Sequence, residues 1–131
     1  MLTGGCLCGA VRYEFEAAPI YPPTLCHCRS CQRASGAHAV AWVTVPEAAL
    51  HYLSGSPASV QSSPGVRRGF CAHCGTPLTY ANSARAGEID VTICTLDDPN
   101  AFTPVDHIWT EDAVHWETGM AGKPRRTRTR S

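Results

Sequence analysis

The sequence lacks long apolar runs, carries little charge and shows no internal repeat. No stretch approaches the roughly 18–20 apolar residues that a membrane-spanning helix needs, so a membrane partner is not expected. The first residues, MLTGG, lack the basic and apolar segments of a secretory signal. Charged residues make up 17% of the 131 residues and hydrophobic residues 44%, which excludes an intrinsically disordered chain. These absences predict one folded domain in the cytoplasm.

The formal net charge is zero, but the charge is unevenly distributed. Positions 123–131 carry no acid and five basic residues, namely Lys123, Arg125, Arg126, Arg128 and Arg130. The other 122 residues hold six basic and eleven acidic groups, a net charge of −5. We therefore predict a folded domain over residues 1–122 and a disordered basic tail over 123–131. An acidic domain argues against nucleic acid as a partner, although the tail could bind an acidic surface.

Alternating apolar residues and frequent turn residues predict a mainly β fold. Apolar and polar residues alternate over residues 11–16 and 89–94, which is the period of a half-buried strand. Further strands are predicted over 38–45, 51–53, 59–62, 66–70, 78–81 and 105–109. Short helices are predicted over 29–34 and 47–50. The segments are separated by many of the 11 glycines and 10 prolines, a pattern that favours an all-β sandwich or an open barrel.

Eight cysteines are the most informative feature of the sequence. Seven fall in three groups with metal-ligand spacing: Cys6 and Cys8; Cys26, Cys28 and Cys31; Cys71 and Cys74. In an extended segment, residues i and i+2 face the same side, so a C-x-C pair can bind one ion. A C-x-x-C turn followed by glycine is typical of half a zinc knuckle. Without an export signal, this pattern indicates metal binding or catalysis rather than disulfides.

Seven ligands make one closed site of four and one open site of three. The natural partition joins the two pairs, Cys6 and Cys8 with Cys71 and Cys74, in a structural zinc site. It leaves Cys26, Cys28 and Cys31 as an open site, and zinc with three protein ligands is typical of catalytic or ligand-binding centres. We therefore expect two zinc ions per chain.

Three alternatives stay open at this stage. The cysteines could form disulfides, although neighbours such as Cys6 and Cys8 are poor partners. The three-cysteine site could be structural and completed by one histidine, for which the nearest candidates are His27, His38 and His73. The chain could also be a non-catalytic zinc-binding interaction module whose basic tail binds a partner in a salt-sensitive way.

Several residues outside the cysteine groups are candidates for substrate binding, for acid–base chemistry or for a structural role. Arg29 and Arg33 flank the open site and are candidates for binding a substrate carboxylate. His38 and His107 are candidates for acid–base chemistry, although the sequence demands no such partner. The three tryptophans Trp42, Trp109 and Trp116 are interpreted as core or pocket wall, and Cys94 as a structural residue.

The cysteine motifs and their flanking residues resemble a known family. The segments GGCLCGAV at 4–11, CHCRSCQR at 26–33 and GFCAHCG at 69–75 are similar to the glutathione-dependent formaldehyde-activating enzyme family, whose relatives include centromere protein V. The segments TLDDP at 95–99 and HIW at 107–109, with Trp116, resemble it too. The resemblance covers most of residues 3–122, and three motifs in the same order are a specific signal.

The resemblance implies a fold, two metal sites and an activity. The fold is Mss4-like, with antiparallel sheets held together by a structural zinc on the first and third motifs. A second, more labile zinc is implied at Cys26, Cys28 and Cys31. The implied activity is condensation of formaldehyde with glutathione to S-hydroxymethylglutathione, a carbon–sulfur lyase reaction. The expected partners are a small-molecule thiol and an aldehyde, with a homodimer as a further expectation.

Overall fold

The computed structural model describes residues 1–16 and 18–130, and in this part of the chain it shows ten β-strands and one α-helix. The strands are β1 (Leu2–Gly5), β2 (Arg12–Phe15), β3 (Thr24–Cys26), β4 (Val40–Pro46), β5 (His51–Ser54), β6 (Ala58–Ser63), β7 (Val66–Phe70), β8 (Pro77–Asn82), β9 (Glu88–Thr92) and β10 (Asp106–Ile108). The helix α1 covers Arg29–Ser35. Short 3-10 helices cover Glu47–Ala49, Ser83–Arg85, Ile93–Thr95, Thr110–Asp112 and Glu117–Gly122.

The strands form two sheets. The smaller sheet has the order β1-β2-β5, and the larger sheet has the order β10-β3-β4-β9-β8-β7-β6. Neighbouring strands are antiparallel, except that β10 runs parallel to β3. A bridge between Gly4 and Leu96 connects the smaller sheet to the segment that follows β9. The prediction of a mainly β fold with antiparallel sheets is confirmed.

The main core combines residues of both sheets. The alternation over residues 11–16 puts Val11, Tyr13 and Phe15 inside, each at most 3% exposed. They belong to the same cluster as Val45 of β4 and Leu78 of β8. Burying such apolar side chains is the main driving force for folding. Two of the cysteines, Cys6 and Cys71, are also part of this cluster, so the core borders the first predicted metal site.

Most of the predicted elements are present, with local differences. The helix over 29–34 is confirmed as α1, whereas 47–50 forms only a 3-10 turn. The strand predicted over 89–94 ends at Thr92 and continues as a 3-10 turn. The strands β1 and β3 were not predicted, because β1 ends in two glycines and β3 follows two prolines. Such residues indicate turns when they are read locally.

The described part of the chain contains no helix that is long and apolar enough to cross a membrane. Residues 123–130 are exposed and form neither helix nor strand, while Ser131 lies outside the described residues. The division into a domain and a basic tail stays a prediction.

Candidate metal centres and the adjoining cavity

The four cysteines of the first and third motifs come together at the edge of the core. The Sγ atoms of Cys6, Cys8, Cys71 and Cys74 all lie within 4.8 Å of one another. The Sγ of Cys8 is 3.7 Å from that of Cys6 and 3.8 Å from that of Cys71. A tetrahedral zinc with Zn–S bonds of about 2.3 Å requires sulfur atoms about 3.8 Å apart. The observed spacing therefore fits zinc.

Two tight turns position these sulfurs. Gly9 follows the first motif and Gly75 follows the third, and both have φ of +81°, a left-handed conformation that glycine adopts without strain. The N–H of Gly75 donates to the carbonyl of Cys71 at 2.8 Å, and the N–H of Gly9 donates to that of Cys6 at 3.2 Å. These backbone turns explain why each motif is followed by glycine.

Thr76 is a residue of this site that the sequence analysis missed. Its hydroxyl lies 3.1 Å from the Sγ of Cys74 and also accepts a hydrogen bond from the N–H of Leu7 at 3.0 Å. The hydroxyl of Thr76 is the largest cause that lowers the pKa of Cys74, to about 5. A lower thiol pKa favours the thiolate that a metal ion binds.

The second group lies where β3 meets α1. Cys26 is the last residue of β3, Cys28 is the N-cap of α1 and Cys31 lies in the first turn. Cys28 is extended, with φ −62° and ψ 151°, and its Sγ accepts a hydrogen bond from the N–H of Cys31 at 3.3 Å. The three Sγ atoms lie within 4.8 Å of one another. This change from strand to helix lets six residues supply three converging ligands.

A buried arginine stands beside this group. Arg68 of β7 is 8% exposed, and both of its terminal nitrogens lie 3.7 Å from the Sγ of Cys31. Its guanidinium lies 5.0 Å from the centre of the Tyr80 ring, and its Nε donates to the hydroxyl of Ser62 at 3.2 Å. Stacking and hydrogen bonding therefore fix the cation against the thiol.

The pKa values of Cys26 and Cys31 are shifted in opposite directions. A hydrogen bond from Cys26, assisted by Cys28 and by the cation of Arg68, lowers the pKa of Cys31 to about 5. The interaction with Cys31 and burial raise the pKa of Cys26. The lowered pKa of Cys31 favours its thiolate, which is the form that a metal ion binds.

All three cysteines line a cavity of about 700 Å³. Trp42 and Tyr80 form part of its wall, with their ring centres 6.0 Å apart. Its charged lining comprises Arg29, Arg68, Arg85, Asp90, Asp106 and Asp112. Arg85 is already held by Glu88 at 3.1 Å and by Asp90 at 2.9 Å. The cavity is large enough for a small-molecule substrate.

The other candidates occupy different positions. Arg29 lines the cavity, whereas Arg33 is exposed and does not. Both His38 and His107 are exposed and lie outside the cavity lining. Within residues 1–16 and 18–130, no histidine joins the three-cysteine group, so the geometry does not favour a histidine-completed site.

Two interpretations from the sequence need correction. Cys94 is exposed and therefore does not act as a buried small hydrophobe. Trp42 and Trp109 both line the cavity, as expected. Trp116 is 56% exposed, lies outside the cavity lining and contacts the ring of His38 with centres 5.2 Å apart. All eight cysteines are free in the structure.

Comparisons with known proteins agree with this architecture. The model of the family described as glutathione-dependent formaldehyde-activating enzyme matches residues 1–112, which include all three cysteine motifs. The crystal structure of a Rhodobacter sphaeroides protein is similar with a TM-score of 0.65 and 23% sequence identity. The alignment covers 80% of this chain and 98% of that chain. At this identity, the structural similarity shows the fold alone.

Proposed function

Because the chain belongs to the glutathione-dependent formaldehyde-activating enzyme family, we propose that it is a zinc-dependent carbon–sulfur lyase. It condenses a small thiol, glutathione or a similar one, with formaldehyde or a related aldehyde. The observation that carries this proposal is the position of Cys26, Cys28 and Cys31, whose side chains supply three metal ligands at the wall of a 700 Å³ cavity. A zinc site with three protein ligands keeps one position for a substrate.

The cation of Arg68 allows the site to accept a thiolate as the bound substrate. Cys26, Cys28 and Cys31 would hold a zinc ion, which would supply a Lewis acid that lowers the pKa of a substrate thiol. Three cysteinate ligands leave that unit with one net negative charge, and a substrate thiolate adds a second. Arg68 offsets one of these charges from 3.7 Å away, within the buried side of the site. The arginine therefore reduces the electrostatic cost of a fourth thiolate.

A second arginine supports recognition of a carboxylate-bearing thiol. Arg29 lines the cavity one residue after Cys28, and it forms no ion pair among the residues that the structure describes. Its guanidinium donates to the side-chain oxygen of Gln32, which holds it at the cavity. An arginine can bind a carboxylate through two parallel hydrogen bonds. Arg85 is less suited to this role because two carboxylates already engage it.

The reaction requires only that the two substrates meet in this cavity. The sulfur lone pair of the thiolate forms a bond with the aldehyde carbon, and the carbonyl π pair moves to the oxygen. The oxygen then takes up one proton, and the thiol released one proton when it became a thiolate. The atoms and charges of the step therefore balance. The walls at Trp42 and Tyr80 limit the orientations of both molecules, and such positioning lowers the entropic barrier of a bimolecular step.

The proposal is tested with the full chain loaded with zinc. NMR follows the exchange of formaldehyde between its free form and its adduct with glutathione. The adduct also forms spontaneously, so the rate with the protein is compared with the uncatalysed rate. Cys28→Ser is expected to lose one zinc and the acceleration over the uncatalysed rate. Arg29→Gln is expected to raise KM, whereas the matched variant Arg33→Gln is not, because Arg33 lies outside the cavity lining. Unchanged zinc content and turnover in Cys28→Ser would refute the proposal.

A further inference from the structure

A further group of potential metal ligands lies next to the three-cysteine group. It consists of His27, His107 and Glu117, whose ligand atoms lie within 4.8 Å of one another. His27 follows β3, His107 belongs to β10 and Glu117 begins the 3-10 helix Glu117–Gly122. The Nε2 of His27 and the Nδ1 of His107 are only 2.8 Å apart. Three distant parts of the chain therefore converge on one point.

The ring of His27 has unused binding capacity. The residue is 1% exposed, and its Nδ1 is buried without a hydrogen-bond partner in the described structure. Its backbone is fixed, since its N–H donates to the carbonyl of Ile108 at 3.0 Å and its carbonyl accepts from the Gln32 side chain at 2.7 Å. Buried polar atoms are nearly always paired. The Nε2 of His27 is the nitrogen that faces His107, so a ring that carries its proton on the unpaired Nδ1 can offer the Nε2 lone pair to a cation.

We propose that His27, His107 and Glu117 form a third metal site that takes a divalent first-row cation such as zinc. Two imidazoles and one carboxylate are a donor set that zinc and its neighbours bind well. The carboxylate of Glu117 offsets one of the cation's two charges. Since His107 is exposed and Glu117 is half-buried, water can fill the remaining positions. The site differs from both cysteine groups because it contains no thiolate.

The proposed metal site would connect one wall of the cavity to the segment that carries Cys26 and Cys28. Ile108, Trp109 and Asp112 line the cavity and lie between His107 and Glu117 in the chain. This wall belongs to the segment of β10, which contributes three residues at the edge of the larger sheet. A cation bound at both ends of the wall and at His27 would fix it beside Cys26 and Cys28. The metal would thus have a structural role at the cavity.

The test counts metal ions in the full chain after equilibration with zinc and removal of the excess. Wild type is expected to hold one zinc equivalent more than His107→Ala, and Glu117→Gln is expected to weaken the binding of that equivalent by about 10-fold or more. His51→Ala is the matched control, since His51 is an exposed strand residue of the smaller sheet. His107 is exposed at a sheet edge, so its replacement leaves the core intact.

A second measurement separates this site from the cysteine groups. In the triple variant Cys26→Ser, Cys28→Ser and Cys31→Ser, the zinc equivalent that depends on His107 is expected to remain. With cobalt as the probe, the same site is expected to add ligand-field bands without thiolate charge-transfer absorption. Equal zinc content in wild type and His107→Ala would overturn the proposal. Loss of the zinc equivalent that depends on His107 in the triple variant would also overturn it. Thiol–aldehyde turnover is measured separately, so a failure of the proposed activity is distinguishable from a failure of this metal site.

Discussion

Both terminal nitrogens of Arg68 lie 3.7 Å from the Sγ of Cys31, and the arginine is almost completely buried. We predict that Arg68→Met raises the pKa of Cys31 from about 5 toward its ordinary value of 9.0. The change is partial because the hydrogen bond from Cys26 is the larger cause of the low pKa. Thiolate absorbance of the protein with zinc at the four-cysteine site and none at the three-cysteine site, recorded as a function of pH, measures this shift.

The same variant is expected to weaken zinc binding at the three-cysteine site by about 10-fold to 100-fold, as removal of an outer partner of a metal ligand usually does. Arg67→Met is the matched control, since Arg67 lies next in sequence and is exposed. An unchanged thiolate titration in Arg68→Met would show that the arginine does not stabilise the thiolate.

With zinc at the four-cysteine site and none at the three-cysteine site, the stability of the protein should depend on the ionisation of Cys31. Its pKa of about 5 in the folded state lies below the ordinary value of 9.0. Its ionisation therefore stabilises the fold fully above pH 9, and this contribution is lost as the pH falls through 5. In Cys31→Ser the slope of stability against pH between these values should decrease. Denaturant unfolding of the protein with zinc at the four-cysteine site alone tests this expectation, and an identical slope would contradict it.

Removal of the four-cysteine zinc is expected to unfold the domain. Zinc binding of this kind contributes about 10–16 kcal/mol, whereas small domains are stable by only about 5–15 kcal/mol in total. Cys71→Ser removes a ligand that is itself part of the main core. Circular dichroism should show loss of the cooperative thermal transition. Cys94→Ser is the control, since Cys94 is exposed and lies outside both groups, and a folded Cys71→Ser protein would contradict the prediction.

The ion pair between Arg12 and Asp97, at 2.6 Å, links β2 to the segment after β9. Arg12 and, next, the hydroxyl of Thr3 lower the pKa of Asp97 to about 2, from 3.8. The ionised carboxylate therefore contributes stability above pH 3.8, which is lost as the pH falls through 2. Asp97→Asn should remove this part of the acid dependence of unfolding. Asp98→Asn should preserve it, because an asparagine there can still accept from the N–H of Asn100.

Gly4 is required by close packing rather than by backbone conformation. A Cβ at this position would lie 2.5 Å from the carbonyl oxygen of Thr95 and would also collide with the Tyr13 side chain. We expect Gly4→Ala to lower the free energy of unfolding by about 1–3 kcal/mol, the usual cost of overpacking. Gly119→Ala should be nearly neutral, since a Cβ there meets nothing within 4 Å. Denaturant titration at fixed zinc concentration compares the two variants.

Local patterns predicted a large part of this fold and of the metal ligands. The cysteine groups could be partitioned because ligand spacing and number depend only on the sequence, and the sulfur positions agree with that partition. The helix at Arg29–Ser35 and the alternation in β2 were also readable, because both depend on neighbouring residues.

The features that escaped prediction depend on contacts between distant residues. Arg68 follows the inward phase of β7, together with Val66. From the sequence alone, an arginine at this position is expected to be exposed. In the structure, the ring of Tyr80 on the paired strand β8 packs against the guanidinium of Arg68 and allows it to be buried. The parallel pairing of β10 with β3 joins Ile108 to Cys26, 82 positions apart, and no local signal marks it.

The parallel pairing of β10 with β3 also has a consequence for folding during synthesis. Residues 26–31 leave the ribosome long before Ile108 and Trp109, which complete the cavity beside them. All seven clustered cysteines precede that wall in the chain. In a nascent chain, both cysteine groups can therefore be complete while the cavity is still open on one side. A metal ion can then reach Cys26, Cys28 and Cys31 before Ile108 and Trp109 complete the cavity wall.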